Sequence, residues 1–218
     1  MASSRKRPPK PDPVEQRLLD ALRDAVAGLH GDAAEAAGGE DRCAHGPLLI
    51  AYSGGRDSTA LLDAACRLRR ARAGGFAGRV AVHVHHGLQA DADAWQRHCE
   101  QTCAGLDVPL RVRRVTVERT GGSIEEAARA ARYAALAEEA AGCGAVAILT
   151  AHHLDDRIET FLINWMRGAG LDGLTGFVAA RALPQGAALL RPWLGIARAD
   201  IEHYVARRGL AHVDDPSN

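Results

Sequence analysis

The stretch Leu48-Leu-Ile-Ala-Tyr-Ser-Gly-Gly-Arg-Asp-Ser-Thr-Ala-Leu-Leu62 decides the fold, because an uncharged apolar run breaks at Ser53, Gly54 and Gly55 and resumes with helical spacing. It reads as strand, tight turn and helix. A strand without charge, from Leu48 to Tyr52, suits the middle of a parallel sheet covered on both faces. The glycine pair lets main chain approach a ligand closely, and Asp57 or Ser58 is placed to cap the helix that follows. The N–H groups at that helix start, with the hydroxyls of Ser53 and Ser58, make a cradle for an anion, most simply a phosphate.

Two other phosphate loops are excluded. A Walker loop needs a lysine, and Lys6 and Lys10 of the N-terminal tail are the only lysines in the chain. The dinucleotide fingerprint G-x-G-x-x-G is missing from the turn as well.

Composition bounds the rest. The 218 residues, 47% of them hydrophobic, suffice for one good core and a small appendage. Net charge is zero, and without the basic tail of residues 1–13 it turns slightly acidic, so no global positive field marks a nucleic-acid binder. Any nucleic acid must be held by local patches, such as Arg67, Arg69, Arg70 and Arg72, or Arg111, Arg113 and Arg114; a solvated face is the alternative for both. Five cysteines without a pairing pattern, no signal sequence and no long apolar span point to the cytoplasm and away from a membrane. Cys99 and Cys103, one helical turn apart, read as core thiols.

Along the chain, residues 1–13 form a disordered, basic, proline-rich tail, and 14–29 an amphipathic helix followed by a flexible acidic loop over 31–41. Strands at 48–52, 79–85, 109–117 and 145–151 alternate with helices, the first running from its cap at Asp57 or Ser58 to about 72 and the others at 91–105, 124–142 and 155–167. Ser123 and Glu126 stand at capping-box spacing. Such alternation specifies an α/β fold with a doubly wound, mainly parallel sheet and helices on both faces. Ligands in these sheets bind beyond the C-terminal strand ends, where Ser53–Ser58, His85–Gly87, Glu118–Ser123 and Ala151–Asp156 fall. Gly168, Gly170, Gly173 and Gly176 mark a mobile loop; 187–190 reads as a last strand and 198–208 as a helix.

The motif S-G-G-R-D-S after a strand resembles the pyrophosphate loop (PP-loop) of the ATP pyrophosphatases. With it come Val82-His-Val-His-His-Gly-Leu88, Ile124-Glu-Glu-Ala-Ala-Arg-Ala-Ala-Arg-Tyr133, Leu149-Thr-Ala-His-His-Leu-Asp-Asp-Arg-Ile-Glu-Thr160, Arg167-Gly-Ala-Gly-Leu-Asp-Gly-Leu174, Arg191-Pro-Trp-Leu194 and Asp215-Pro-Ser-Asn218. In this order the set is similar to the N-terminal catalytic domain of the tRNA(Ile)-lysidine synthetases. Two positions depart from the family pattern: Arg157 stands where Gln is frequent and Gln89 where Arg is frequent.

The resemblance implies an enzyme using ATP, Mg2+ and L-lysine to convert the wobble cytidine of tRNA(Ile), anticodon CAU, into lysidine. It implies one catalytic domain over 14–218, with 168–218 as its extension and further C-terminal tRNA-binding domains beyond it. A second copy of the chain, as a homodimer, is a further candidate partner. The rivals are a tRNA thiolase of the same loop superfamily, whose paired C-x-x-C motifs are absent here, and a catalytically silent ATP-binding module.

Within that reading Ser53, Gly54, Gly55, Arg56, Asp57 and Ser58 hold ATP, with His86 and His152 as phosphate or base contacts. Asp57 is a magnesium ligand or a helix cap. Asp156 and Glu159, at i and i+3, share a helix face and can grip an ammonium group and take its proton; the alternative is macrodipole stabilisation at a helix start. Arg129 and Arg132, also at i and i+3, offer guanidinium groups to phosphate. Arg167, Gly168 and Gly170 complete the substrate side. His83, His85, His86, His152 and His153 make no closed zinc set.

Overall fold

Strand β1 (Pro47–Ala51) lies near the centre of a six-stranded sheet of order β3-β2-β1-β4-β6-β5. The computed structural model describes residues 12–37, 46–70, 76–85, 92–116, 124–170 and 176–213. In chain order the elements are α1 (Pro13–Ala37), β1, α2 (Arg56–Arg70), β2 (Gly78–His85), α3 (Ala92–Leu106), β3 (Leu110–Arg114), α4 (Ile124–Cys143), β4 (Ala147–Leu149), α5 (Leu154–Met166), β5 (Ala180–Ala182), β6 (Ala188–Leu190) and α6 (Arg198–Arg208). All neighbouring pairs are parallel except β5 with β6.

Alternate residues of the central strands feed two cores. Leu48 and Ile50 pack with Leu18 and Leu22 of α1, Leu61, Leu62 and Ala65 of α2, Cys99 and Cys103 of α3, and Ile201 and Tyr204 of α6. Leu49 and Ile148 face the other way, against Leu136 and Ala140 of α4. The middle of the sheet is therefore covered on both faces, as the uncharged central strands β1 and β4 require. A buried network ties α2 to α6: Tyr204 Oη donates to Asp63 at 2.5 Å, and the Arg208 guanidinium approaches the same carboxylate at 3.2 and 3.3 Å.

Several elements differ from the sequence reading. Helix α1 begins at Pro13 with Asp12 Oδ1 accepting from the N–H groups of Val14 and Glu15, so the last two residues of the stretch read as tail belong to a capped helix start, and residues 1–11 lie outside the described residues. It continues to Ala37, through most of the expected acidic loop, because the alanines beyond Gly31 favour helix. Strand β5 was not expected: Ala180, Arg181 and Ala182 are all exposed and pair antiparallel with β6 at the sheet edge. Helix α5 buries no residue, and Ile158, Phe161, Leu162, Trp165 and Met166 form an exposed apolar stripe along it. Ser123 of the expected capping box, residues 171–175 of the glycine loop and 215–218 lie outside the described residues.

Strand order reverses between β1 and β4, since the chain steps from β1 to β2 and β3 on one side and returns on the other. The register pairs Ile50 with Leu149, so the loops after β1 and β4 leave the sheet side by side. A crevice at such a switch point is where this class of sheet binds ligands.

Candidate active site

The loop after β1 is tightly constrained. Gly54 has φ of +88°, and a Cβ there would meet Cys99 Sγ at 2.9 Å and Val213 Cγ2 at 3.3 Å. Only glycine suits both the left-handed backbone and the space. Cys99 is fully buried under the loop and Cys103 nearly so; burial pushes both thiols up to about 12, so they remain protonated packing groups. On the other side Val213 N donates to Gly54 O at 3.0 Å.

Helix α2 starts at Arg56, so Asp57 and Ser58 lie in its first turn and neither is the cap. Ser53 Oγ instead accepts from Gly55 N–H at 3.3 Å, and Ser58 Oγ donates to Gly55 O at 3.0 Å. The two hydroxyls also meet at 3.0 Å. The first α-helical bond is Thr59 N–H to Gly55 O. The N–H groups of Arg56, Asp57 and Ser58 precede it and have no carbonyl within the helix, which leaves an anion-binding helix start.

The loop after β4 reaches the same place. His153, 1% exposed, caps α5 by accepting from Asp156 N–H at 3.4 Å, while Asp156 Oδ2 accepts from His153 N–H at 2.8 Å. The far nitrogen of that ring, Nε2, lies 3.7 Å from Asp57 Oδ2. One buried imidazole thus stands between the phosphate loop and the acidic helix. Burial pushes His153 down, but Asp57 and Asp156 outweigh it and raise its pKa. Burial likewise pushes Asp57 up, and His153 and Arg56 outweigh it, holding the carboxyl below its usual range.

The remaining expected residues distribute around this centre. Arg56 turns to Asp57 at 3.0 Å and to Glu202 of α6 at 2.8 Å. Asp155 Oδ2 accepts from Arg198 N–H at 2.8 Å, fixing the start of α6 to that of α5. Glu159 is well exposed, with Arg198 Nη2 at 4.0 Å. Arg167 closes α5, followed by Gly168 at φ of +73° and then Gly170, both on the exposed side of the same loop. His86 lies outside the described residues.

His152 points away from its neighbour. Its ring rests on Phe177 at 4.6 Å between centroids, with Nδ1 2.9 Å from Thr150 Oγ1. The guanidinium groups of Arg129 and Arg191 each lie 5.0 Å from the centroid of the Phe177 ring. Burial, with Arg191, Arg129 and Arg132, pushes His152 down to about 3. A cleft of about 380 Å³ opens here, lined by Glu126, Arg129, Tyr133, Phe177, Arg181 and Arg191 among others.

The second arginine patch is largely neutralised: Arg111 and Arg113 pair with Glu139 at 2.8 Å each, and Arg113 also pairs with Glu138. In the first patch Arg67 pairs with Glu15. Among the described residues no group of three or more His, Cys, Asp or Glu side chains is placed to hold a metal ion, and no helix is long and apolar enough to cross a membrane.

Residues 32–218 match the family model described as PP-loop domain. The chain belongs to this family. The tRNA(Ile)-lysidine synthase of Ralstonia nicotianae is 54% identical over 172 residues, which is 78% of this chain and 37% of that protein. That of Pseudomonas aeruginosa is 47% identical over 209 residues, 94% of this chain and 41% of that protein. The chain thus spans about two fifths of the length of these curated relatives. Among solved structures, a U34-tRNA thiolase, NcsA, from Methanococcus maripaludis superposes with a TM-score of 0.69 at 13% identity, covering 93% of this chain and 69% of that one. NMN synthetase from Francisella tularensis gives 0.54 at 12%, covering 89% and 68%. At such identity the likeness is one of fold, the PP-loop sheet with its helices.

His153, Phe177 and Arg191 were not singled out as site residues from sequence. The signal for His153 was present, since it stands three residues before Asp156 at capping-box spacing. Phe177 and Arg191 come together only through the return of the chain along β5 and β6.

Proposed function

We propose that this PP-loop chain carries the catalytic chemistry of lysidine formation: ATP-dependent ligation of L-lysine to C2 of the wobble cytidine of tRNA(Ile) with anticodon CAU, releasing AMP and pyrophosphate. The observation that carries the reading is the meeting of Asp57 and Asp156 across His153, at 3.7 and 3.5 Å, at the sheet's switch point. The named activity of relatives about half identical over most of this chain supports the same reaction.

The C2 oxygen of cytosine is a poor leaving group, so it must be activated first. It attacks the α-phosphate of ATP, and pyrophosphate leaves. The first-turn N–H groups of α2 and the Ser53 and Ser58 hydroxyls are oriented before the charge develops, which is how such dipoles stabilise it most. Asp57, kept ionised, fits as the one carboxylate that Mg2+ takes when phosphate oxygens supply other ligands. When bound, that ion would neutralise charge on the departing pyrophosphate.

In the second step the lysine ε-amine attacks C2, and AMP departs with the former oxygen. At pH 7 freeing the amine of its proton costs about 4–5 kcal/mol. Asp156 and Glu159 are suited to hold the ammonium form and receive that proton. The partners in this reading are tRNA(Ile), L-lysine and, last, a second copy of the chain in the cytoplasm; sedimentation of the purified chain reads the homodimer directly.

The test is AMP and pyrophosphate release from ATP with purified tRNA(Ile), with and without lysine. Lysine-dependent release of both supports the reading. Sulfur incorporation without lysine would favour a thiolase, and ATP binding without turnover a silent module.

A further inference from the structure

A buried arginine without a partner for its charge requires an explanation. Arg191 is 6% exposed; Nη1 donates to Val178 O at 2.8 Å, and Nε is buried with no hydrogen-bond partner. Among the described residues no carboxylate lies within ion-pair distance of it. Leaving a charged donor in that condition is costly.

Its surroundings add to the problem. Arg129 shares the Phe177 ring with Arg191, each guanidinium 5.0 Å from the ring centroid, so the aromatic ring packs among two like charges. Arg181 lines the same cleft, whose lining includes one carboxylate, Glu126. Tyr133 Oη is buried there and also lacks a partner. The cleft is built as a cationic seat around an apolar ring.

Its position says which anion. His152 and His153 are consecutive, and they face opposite ways: His153 toward Asp57 of the phosphate loop, His152 onto Phe177. The loop after β4 is therefore a partition, with the nucleotide loop on the α2 side and the arginine cleft on the α4 side. An RNA strand whose base is to meet both ATP and lysine at that partition must lay its backbone beside it.

Resting on the functional reading above, we propose that the cleft formed by Arg129, Arg181 and Arg191 around Phe177 binds a backbone phosphate of single-stranded RNA, next to the nucleotide that reacts. The arginines supply the charge-assisted hydrogen bonds, and Tyr133 Oη and Arg191 Nε acquire the acceptor they lack. The ring faces of Phe177 are already covered by His152 and the arginines, so the cleft takes phosphate and not a stacked base. ATP phosphates, the other source of the same chemistry, belong to the α2 side.

The experiment uses the full chain and a short fluorescein-labelled single-stranded RNA containing CAU, with affinity followed by anisotropy over a range of salt; ATP binding is measured in parallel. Arg181→Ala, on an exposed edge strand and safe for folding, weakens RNA binding about tenfold and makes the salt slope shallower by about 0.7, the release expected for one phosphate contact on a single strand. Arg191→Gln does the same more strongly. Glu126→Gln tightens RNA binding, a gain that a merely structural role for the cluster does not produce. ATP affinity stays as in wild type in all three.

Unchanged RNA affinity and salt slope in Arg181→Ala and Arg191→Gln overturn the proposal, as does a loss of ATP affinity in step with RNA affinity. If only this inference fails, lysine-dependent AMP release on tRNA persists in wild type. If the functional reading fails, that turnover is absent whatever the RNA titrations show.

Discussion

His153 Nε2 lies 3.7 Å from Asp57 Oδ2 while the same ring caps the helix that carries Asp156. The ring's two nitrogens are a fixed distance apart, so the imidazole sets how far the phosphate loop stands from the acidic helix. His153→Asn retains an N-cap acceptor but is too short to span to Asp57. Pyrophosphate release should fall at least tenfold, roughly 1.4 kcal/mol in the barrier, with the thermal midpoint down by only a few degrees. Turnover equal to wild type would remove His153 from the site.

Asp156 serves both structure and chemistry, and the two can be separated. Asp156→Asn keeps an acceptor for His153 N–H, so the helix cap survives. The charge is lost, and with it an ion-paired hydrogen bond worth about 1.5–3 kcal/mol. Steady-state kinetics should show KM for lysine rising roughly 10- to 100-fold, with ATP affinity and urea midpoint nearly unchanged.

Gly54→Ala should disable the loop twice over. The left-handed backbone costs a residue with a Cβ about 1–2 kcal/mol, and that Cβ would sit 2.9 Å from Cys99 Sγ. Adding Cys99→Ala removes the collision and not the backbone cost. Equilibrium ATP binding is expected to be lost in the single variant and only partly regained in the double one.

His152 makes a pH-dependent contribution to stability. Its pKa is held down at about 3 against an ordinary 6.5, by burial first and by Arg191, Arg129 and Arg132 after it. The unfolded chain takes up this proton at a pH where the folded chain refuses it. The associated stability is complete above pH 6.5 and is lost as pH falls toward 3. His83, also lowered by burial, acts in the same direction. Relative to His152→Gln, wild type should lose up to about 1.4 kcal/mol per pH unit in that window. Urea unfolding of both proteins at neutral and acidic pH measures the difference.

Asp63 side-chain exposure is 5%, and Tyr204 and Arg208 both depend on it. Asp63→Ala leaves the buried Tyr204 hydroxyl without its acceptor and the exposed Arg208 without its ion pair, and should cost about 2–4 kcal/mol, the two losses together. Tyr204→Phe removes one hydrogen bond and should cost about 1–3 kcal/mol. Chemical denaturation of the two variants checks the order.

The parts of the fold legible in sequence were those where chemistry is local. β1 and β4 announce themselves by uncharged runs and β2 by its valine alternation, and α6 was read to the residue, because its amphipathic stripe stops at Gly209, which adopts the left-handed C-cap. Strand β5 carries no such signal: Ala-Arg-Ala at an exposed edge looks like loop until β6 pairs with it. Helix α1 overran its expected end because a single Gly31 does not stop an alanine-rich helix. At the site, S-G-G-R-D-S and D-D-x-x-E were readable as motifs, and their meeting followed from strand order. The cap assignment of Asp57 or Ser58 was off by two or three residues, since Gly55 precedes the first helical residue, Arg56. Arg191 stood at the head of a quoted motif, Arg191-Pro-Trp-Leu194, but nothing in sequence gave it a site role until burial did, and Phe177 carried no signal at all.

The carbonyl of Gly54 receives the amide of Val213, on a chain segment that arrives only after the whole sheet has been laid down. The phosphate-gripping turn is therefore no independent module: its last strut is delivered by the most distant part of the described chain. A truncation before Val213 would leave the turn without that strut while every other residue of the motif remained in place. Conversely, tension applied to the polypeptide beyond Val213 is felt at the nucleotide's threshold one hydrogen bond away.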